Sequence, residues 1–202
     1  MNFLAHAHLS NGDPRILVGN MIADSVKGKQ KLDFPPNIRM GIDLHRKIDM
    51  YTDSHPVFKQ SVEVIYAESR RFSGVVMDIF YDHFLARNWS LFSAIPLEVF
   101  TVKVYHVLGN NFPLLPVRVK RILPYMMAQN WLNSYANLKD LNRIFYGMDR
   151  RTGFRSGMSD AVTLLEKNYT ELERQFISFY PQMLQYVDET TRLLQAEYAD
   201  QE

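Results

Sequence analysis

Apolar residues recur along this chain at three- and four-residue intervals, in segments separated by proline and glycine, and no stretch shows convincing strand alternation. That is helical periodicity, so the pattern predicts an all-α fold. The punctuation then sets the segments. Asp13 ahead of Pro14 marks a helix start, and the helix is expected over 14–26 with a stop at Gly28. Pro35-Pro36 opens a second helix that must end near Ser54, because Pro56 follows and starts a third, to about Ser69. Further helices are expected over 73–85, from Pro96 to Gly109, from Pro116 with a bend or break at Pro124, over about 138–149, and over 159–198 with its only interruption at Pro181. The acidic end, Glu197 to Glu202, is expected to fray. With no internal repeat and no low-complexity linker, residues 1–202 read as a single all-α domain, a bundle of about eight helices.

Three of these segments carry polar residues where a simple amphipathic helix would not. In 36–54, His45, Asp49 and Asp53 stand four apart. At roughly 100° per residue they drift by about 40° per step and share one narrow strip, beside the apolar strip of Leu44, Ile48 and Tyr51. Such a ladder offers imidazole and carboxylate to one metal ion, or else it is an exposed polar face with a stabilising His–Asp pair. In 73–85, Asp78 and Asp82 lie four apart with His83 about 100° to the side, all within a run of Val, Met, Ile, Phe, Tyr and Leu. That helix has no polar side, and a buried carboxylate wants a partner, for which a metal is one candidate. Asp24 sits among Ile22, Ala23 and Val26, either paired, bound to metal, or at the solvent boundary. His6 and His8 would face one way if the N-terminal segment is extended, and about 200° apart if it is helical.

Composition narrows the chemistry. There are no cysteines, so a metal has only histidine and carboxylate to bind it, a donor set that suits manganese, magnesium or iron better than a structural zinc. A net charge of +1 gives no support to nucleic-acid binding. The N-terminus lacks a signal-peptide pattern and no stretch reaches the 18 or more apolar residues of a membrane span, which points to the cytoplasm. No phosphate loop, Ser-His-Asp signature or dinucleotide fingerprint competes with the histidines and aspartates of the first 85 positions. A centre of that kind activates water and neutralises charge on a phosphoryl group.

The motifs Met1-Asn2-Phe3-Leu4-Ala5-His6 with His8-Leu9, Gly19-Asn20 with Ala23-Asp24, His45-Arg46 with Ile48-Asp49 and Thr52-Asp53, Asp82-His83-Phe84-Leu85 with Trp89, and Phe179-Tyr180-Pro181 together resemble the bacterial acyl carrier protein phosphodiesterases. The resemblance runs from the first residues to about position 187. It implies an all-helical fold related to the HD-domain phosphohydrolases, and a manganese-dependent removal of 4′-phosphopantetheine from the serine of holo-acyl carrier protein. It makes Asp24, His45, Asp49, Asp82 and His83 the candidates for the metal and water-activating shell, with His6 and His8 in matching motifs. HD domains are named for His followed by Asp, whereas here the adjacent pair is Asp82-His83, so the ligand assignment of HD proteins does not carry over.

On this reading Asp24, Asp49 or His83 orients or deprotonates the water, and Arg46 stabilises developing charge. Acyl carrier proteins are acidic, so Lys27, Lys29, Lys31, Lys47, Arg70, Arg71 and Arg87, together with Arg46, are the expected docking rim, with Arg150, Arg151 and Arg155 as a second candidate. Two other functions remain open to the sequence: an HD-like phosphohydrolase acting on a nucleotide or another small phosphodiester, and a non-catalytic helical binding module.

Overall fold

A computed structural model describes residues 1–199. Among them are eleven α-helices and no strand. The helices are α1 (Phe3–His8), α2 (Pro14–Ile22), α3 (Pro36–Ser54), α4 (Pro56–Ser69), α5 (Ser73–Arg87), α6 (Leu97–Asn110), α7 (Val117–Ala128), α8 (Trp131–Ser134), α9 (Leu138–Arg151), α10 (Ala161–Lys167) and α11 (Tyr169–Ala199). Prolines at the first helical turn open α2, α3 and α4 as the punctuation predicts.

Three boundaries differ from expectation. The first helix ends at Ile22, and Ala23–Ser25 tightens into a 3₁₀ turn that carries Asp24. Pro124 does not break α7. Pro181 does not break α11 either; the interruption falls instead at Asn168, whose side-chain amide caps the end of α10 by donating to Leu164 O at 2.9 Å. A proline inside a helix costs about 3 kcal/mol. Around Pro181 that cost is outweighed by Phe176, Phe179, Tyr180 and Met183, all fully buried, which pack both neighbouring turns into the core. The fraying expected from Glu197 onward is not found as far as Ala199, where α11 still runs as helix; the rest of that expectation, 200–202, lies outside the described residues.

One apolar core runs through the helices, centred on an aromatic cluster in which Tyr81 meets Phe58, Phe176 and Phe179. No helix among the described residues is long and apolar enough to cross a membrane.

Two devices in this core position the polar residues. The first is the crossing of α2 on α3. A Cβ on Gly19 would overlap Ile38 O and stand 2.8 Å from the Cα of Gly41, and a Cβ on Gly41 would overlap Ile16 O and stand 2.9 Å from the Cα of Gly19. Two facing glycines thus let the backbones touch, which carries Asn20 of α2 to His45 of α3. The second is Asp82. Its carboxylate is completely buried and accepts the backbone N–H groups of Asn2 (3.3 Å), Leu4 (2.8 Å) and Ala5 (3.2 Å). It caps the short α1 from a distant helix, satisfying donors that a helix start leaves free. Burial pushes its pKa up to about 7 against the pull of those N–H groups. Asp82→Ala is therefore expected to lower stability by about 3 kcal/mol, since three buried donors lose their acceptor, with urea unfolding as the measurement.

Candidate metal centre

Helices α1, α2 and α3 bring together His6, His45 and Asp49, whose ligand atoms all lie within 4.8 Å of one another. The two imidazoles stack, with ring centroids 3.9 Å apart and planes 17° from parallel. His6 Nε2 is 3.1 Å from Asp49 Oδ1, and His45 Nε2 is 3.1 Å from Asp49 Oδ2 and 3.3 Å from Asp24 Oδ1. Both histidines are buried, Asp49 is half-buried, and Asp24 is exposed at the rim.

The opposite edges of both rings are held by one residue. Asn20, fully buried, presents Oδ1 to His6 Nδ1 at 2.8 Å and its main-chain carbonyl to His45 Nδ1 at 2.8 Å. Its amide nitrogen donates to His6 O (2.8 Å) and Ser10 Oγ (3.2 Å), so its oxygen is the atom that faces the imidazole. Both Nδ1 atoms therefore carry hydrogen, and Nε2 is the ring nitrogen that each histidine turns toward the carboxylates. Although close to carboxylate oxygens, neither buried Nε2 has a hydrogen bond of proper direction. Two unpartnered imidazole nitrogens and a carboxylate converging on one point, with tautomers fixed from behind, fit a divalent ion. No sulfur donor is present among these groups, which suits a hard or borderline ion.

Without an ion the two imidazoles titrate far apart. Burial and the neighbouring His45 lower the pKa of His6 to about 4. Burial also disfavours charge on His45, but contacts with Asp24 and Asp49 outweigh it and raise the pKa to about 9. Asp49 is partly desolvated, yet His45 and His6 hold it ionised well below its ordinary range, and His45 does the same for Asp24.

The other expected ligands lie elsewhere, and this corrects the reading of three of them. Helical α1 sends His8 away from His6, so that its Nδ1 meets the Tyr180 hydroxyl at 2.8 Å and its ring lies against Trp89. His83 has Nδ1 2.7 Å from the Tyr135 carbonyl and Nε2 3.1 Å from the Tyr169 hydroxyl, leaving it no lone pair for the cluster. Asp82 spends its oxygens on α1, as described above. Asp78 lies 2.9 Å from the Met1 amino group, and Asp53 is exposed. Arg46, next to His45, has its guanidinium 3.6 Å from Asp43, and Lys31 is held by Asp43 at 2.7 Å. Lys27, Lys29, Lys47, Arg70 and Arg87 are exposed, as is Arg71, which lies over the Phe72 ring. Arg150 and Arg151, in the last turn of α9, and Arg155, in the loop that follows, are exposed; Asp149 ties that loop down by accepting the Ser156 and Ser159 hydroxyls at 2.6 and 2.7 Å. Sequence reasoning overlooked Asn20 as a site residue; an uncharged amide far along the chain from every histidine gives no ligand signal, and its only trace is the Gly19-Asn20 pair.

An all-helical protein with a buried His/His/carboxylate group able to hold a metal ion is what fold and site together define. The chain belongs to the acyl carrier protein phosphodiesterase family, whose model matches residues 1–183. Proteins named acyl carrier protein phosphodiesterase are similar over nearly their whole length. The one from Serratia proteamaculans (strain 568) is 34% identical over 186 residues, 92% of this chain and 96% of the relative. Those from Yersinia pestis and Escherichia coli O157:H7 (strain EC4115 / EHEC) are each 34% identical over 185 residues, 91% of this chain and 96% of the relative. No solved structure matches.

Proposed function

We propose that this protein hydrolyses the phosphodiester of holo-acyl carrier protein in the cytoplasm, releasing 4′-phosphopantetheine and the free serine. The observation that carries the metal-dependent form of this reading is the pair of unpartnered Nε2 atoms of His6 and His45 facing Asp49. Family membership supplies the substrate. His6, His45 and Asp49 would hold the ion, with Asp24 at the open side, and manganese(II) is the ion we assign from the donor chemistry and the resemblance; magnesium and iron share that chemistry. When bound, the ion supplies Lewis-acid polarisation of the phosphoryl oxygens and a lowered pKa for water.

The chain's own residues do the rest. Asn20 fixes both imidazoles so that the site is organised before substrate arrives. Asp24, exposed and held ionised, accepts a hydrogen bond from the attacking water and so orients it. Water adds to phosphorus, the bond from phosphorus to the serine oxygen breaks, that oxygen takes up a proton to give the serine hydroxyl, and the phosphate leaves on the pantetheine arm carrying the water's oxygen. Intact-mass measurement of holo-acyl carrier protein, incubated with this protein and manganese with and without chelator, tests the reading. Metal-dependent loss of the phosphopantetheine mass is expected; an unchanged mass with manganese bound overturns it.

The titration of His45 adds a prediction. At neutral pH its Nε2 must lose a proton before it can ligate, because its pKa stands near 9. Apparent manganese affinity is therefore expected to rise about tenfold per pH unit up to pH 9, with proton release detectable as buffer-dependent binding heat.

A further inference from the structure

Beside the His6–His45–Asp49 group runs a groove walled by Phe3, Met21, Leu108, Ile122 and Met126, between α1, α2, α6 and α7. Phe3, Met21 and Asp24 line both this groove and the small pocket that contains His6 and His45, so the two adjoin across these residues. On the groove wall stands Arg118 of α7, exposed and in no ion pair among the described residues. Ser25 adds a hydroxyl to the same wall.

We infer that this groove is the subsite for the linear pantetheine arm, with Arg118 reading the phosphate at its head. The inference rests on the reading of the reaction given above and names where the leaving group lies. Its volume, about 50 Å³, is far below the roughly 300–1,000 Å³ of pockets that envelop a small molecule, so it takes a stretch of thin chain laid along it and does not enclose a whole ligand. Its walls are mostly apolar, which suits the methylenes and paired methyl groups of such an arm, and Ser25 offers a hydrogen bond to one of its amides. Adjacency to the metal-type pocket across Asp24 sets the order of the ligand: phosphate at the histidines and Arg118, arm running along α7. An arginine is the side chain suited to a two-oxygen phosphate contact, and this one is in no ion pair among the described residues, with Asp24 of the same lining already engaged by His45.

Binding of free 4′-phosphopantetheine and of pantetheine, which lacks the phosphate, separates these parts without requiring turnover. Calorimetry on the full chain would compare wild type, Ile122→Trp, which fills the groove from a half-buried position, and Arg118→Ala. Ile122→Trp is expected to weaken both ligands at least about tenfold, and Arg118→Ala to weaken only the phosphorylated one by about tenfold, the size of one charge-assisted contact. Melting temperatures report whether either variant has lost its fold, and Met126→Trp probes the same wall from α7 if Ile122→Trp has. Absence of pantetheine binding to wild type, or equal binding by the groove variants, overturns the subsite even if holo-acyl carrier protein is hydrolysed. Displacement of pantetheine by a 5′-nucleotide overturns it as well. Groove-dependent pantetheine binding by a protein that leaves holo-acyl carrier protein intact would uphold the subsite and reject the reaction.

Discussion

Asp49→Asn is expected to reduce kcat/KM toward holo-acyl carrier protein by about 1,000-fold or more while keeping the helical spectrum and a cooperative melt, lowered only by the lost contacts with His6 and His45. The carboxylate lies within 3.1 Å of both His6 Nε2 and His45 Nε2, so among the described residues it is the one carboxylate that meets the two imidazoles together. Its amide analogue keeps the shape but surrenders the charge that balances an ion and holds the histidines in register. Asp49 is half-buried at the edge of α3 rather than in the core, so its exchange opens no apolar cavity, and Asp24 remains beside His45 Nε2 to balance its charge. Loss confined to kcat/KM with intact folding marks the site; activity within a few-fold of wild type would remove Asp49 from it.

The second large effect concerns stability. Gly41→Ala is expected to cost about 3–5 kcal/mol, because its Cβ would overlap the Ile16 carbonyl of the facing helix and neither backbone can yield separately. Gly147→Ala in α9 is the control: its Cβ meets nothing within 4 Å, and an exchange there should stabilise by about 0.5–1 kcal/mol through helix propensity. Urea unfolding of the two variants distinguishes a required backbone contact from a general preference for helix formers. If Gly41→Ala unfolds at the wild-type midpoint, the crossing of α2 and α3 is not the close packing described, and the placement of Asn20 against His45 needs another cause.

Much of this arrangement was readable from residues in order. Helix α3 is bounded at both ends by prolines, so its limits and the four-residue step from His45 to Asp49 follow from local rules. The same rules failed where partners come from afar. A carboxylate inside the apolar run of α5 calls for a partner, but nothing in that run reveals that the partner is the backbone of residues 2–5 rather than an ion. His83 is a parallel case, its two nitrogens taken by Tyr135 and Tyr169, more than fifty positions away. His6 and His8 looked equivalent until the segment proved helical, which sends one to His45 and the other to Tyr180. Asn20 and the facing glycines escaped notice as site determinants because their roles exist only at the contact between α2 and α3. Pro181 misled in the opposite sense: a local breaker was overridden by the aromatic packing of α11.

These distinctions meet in one determination, the manganese content of the purified protein after loading and desalting, measured for wild type, His45→Ala and His83→Ala. With the ion held by His6, His45 and Asp49, wild type and His83→Ala retain manganese in the same proportion and His45→Ala loses it. Retention by His45→Ala together with loss from His83→Ala would place the ion on α5 and contradict the centre described here.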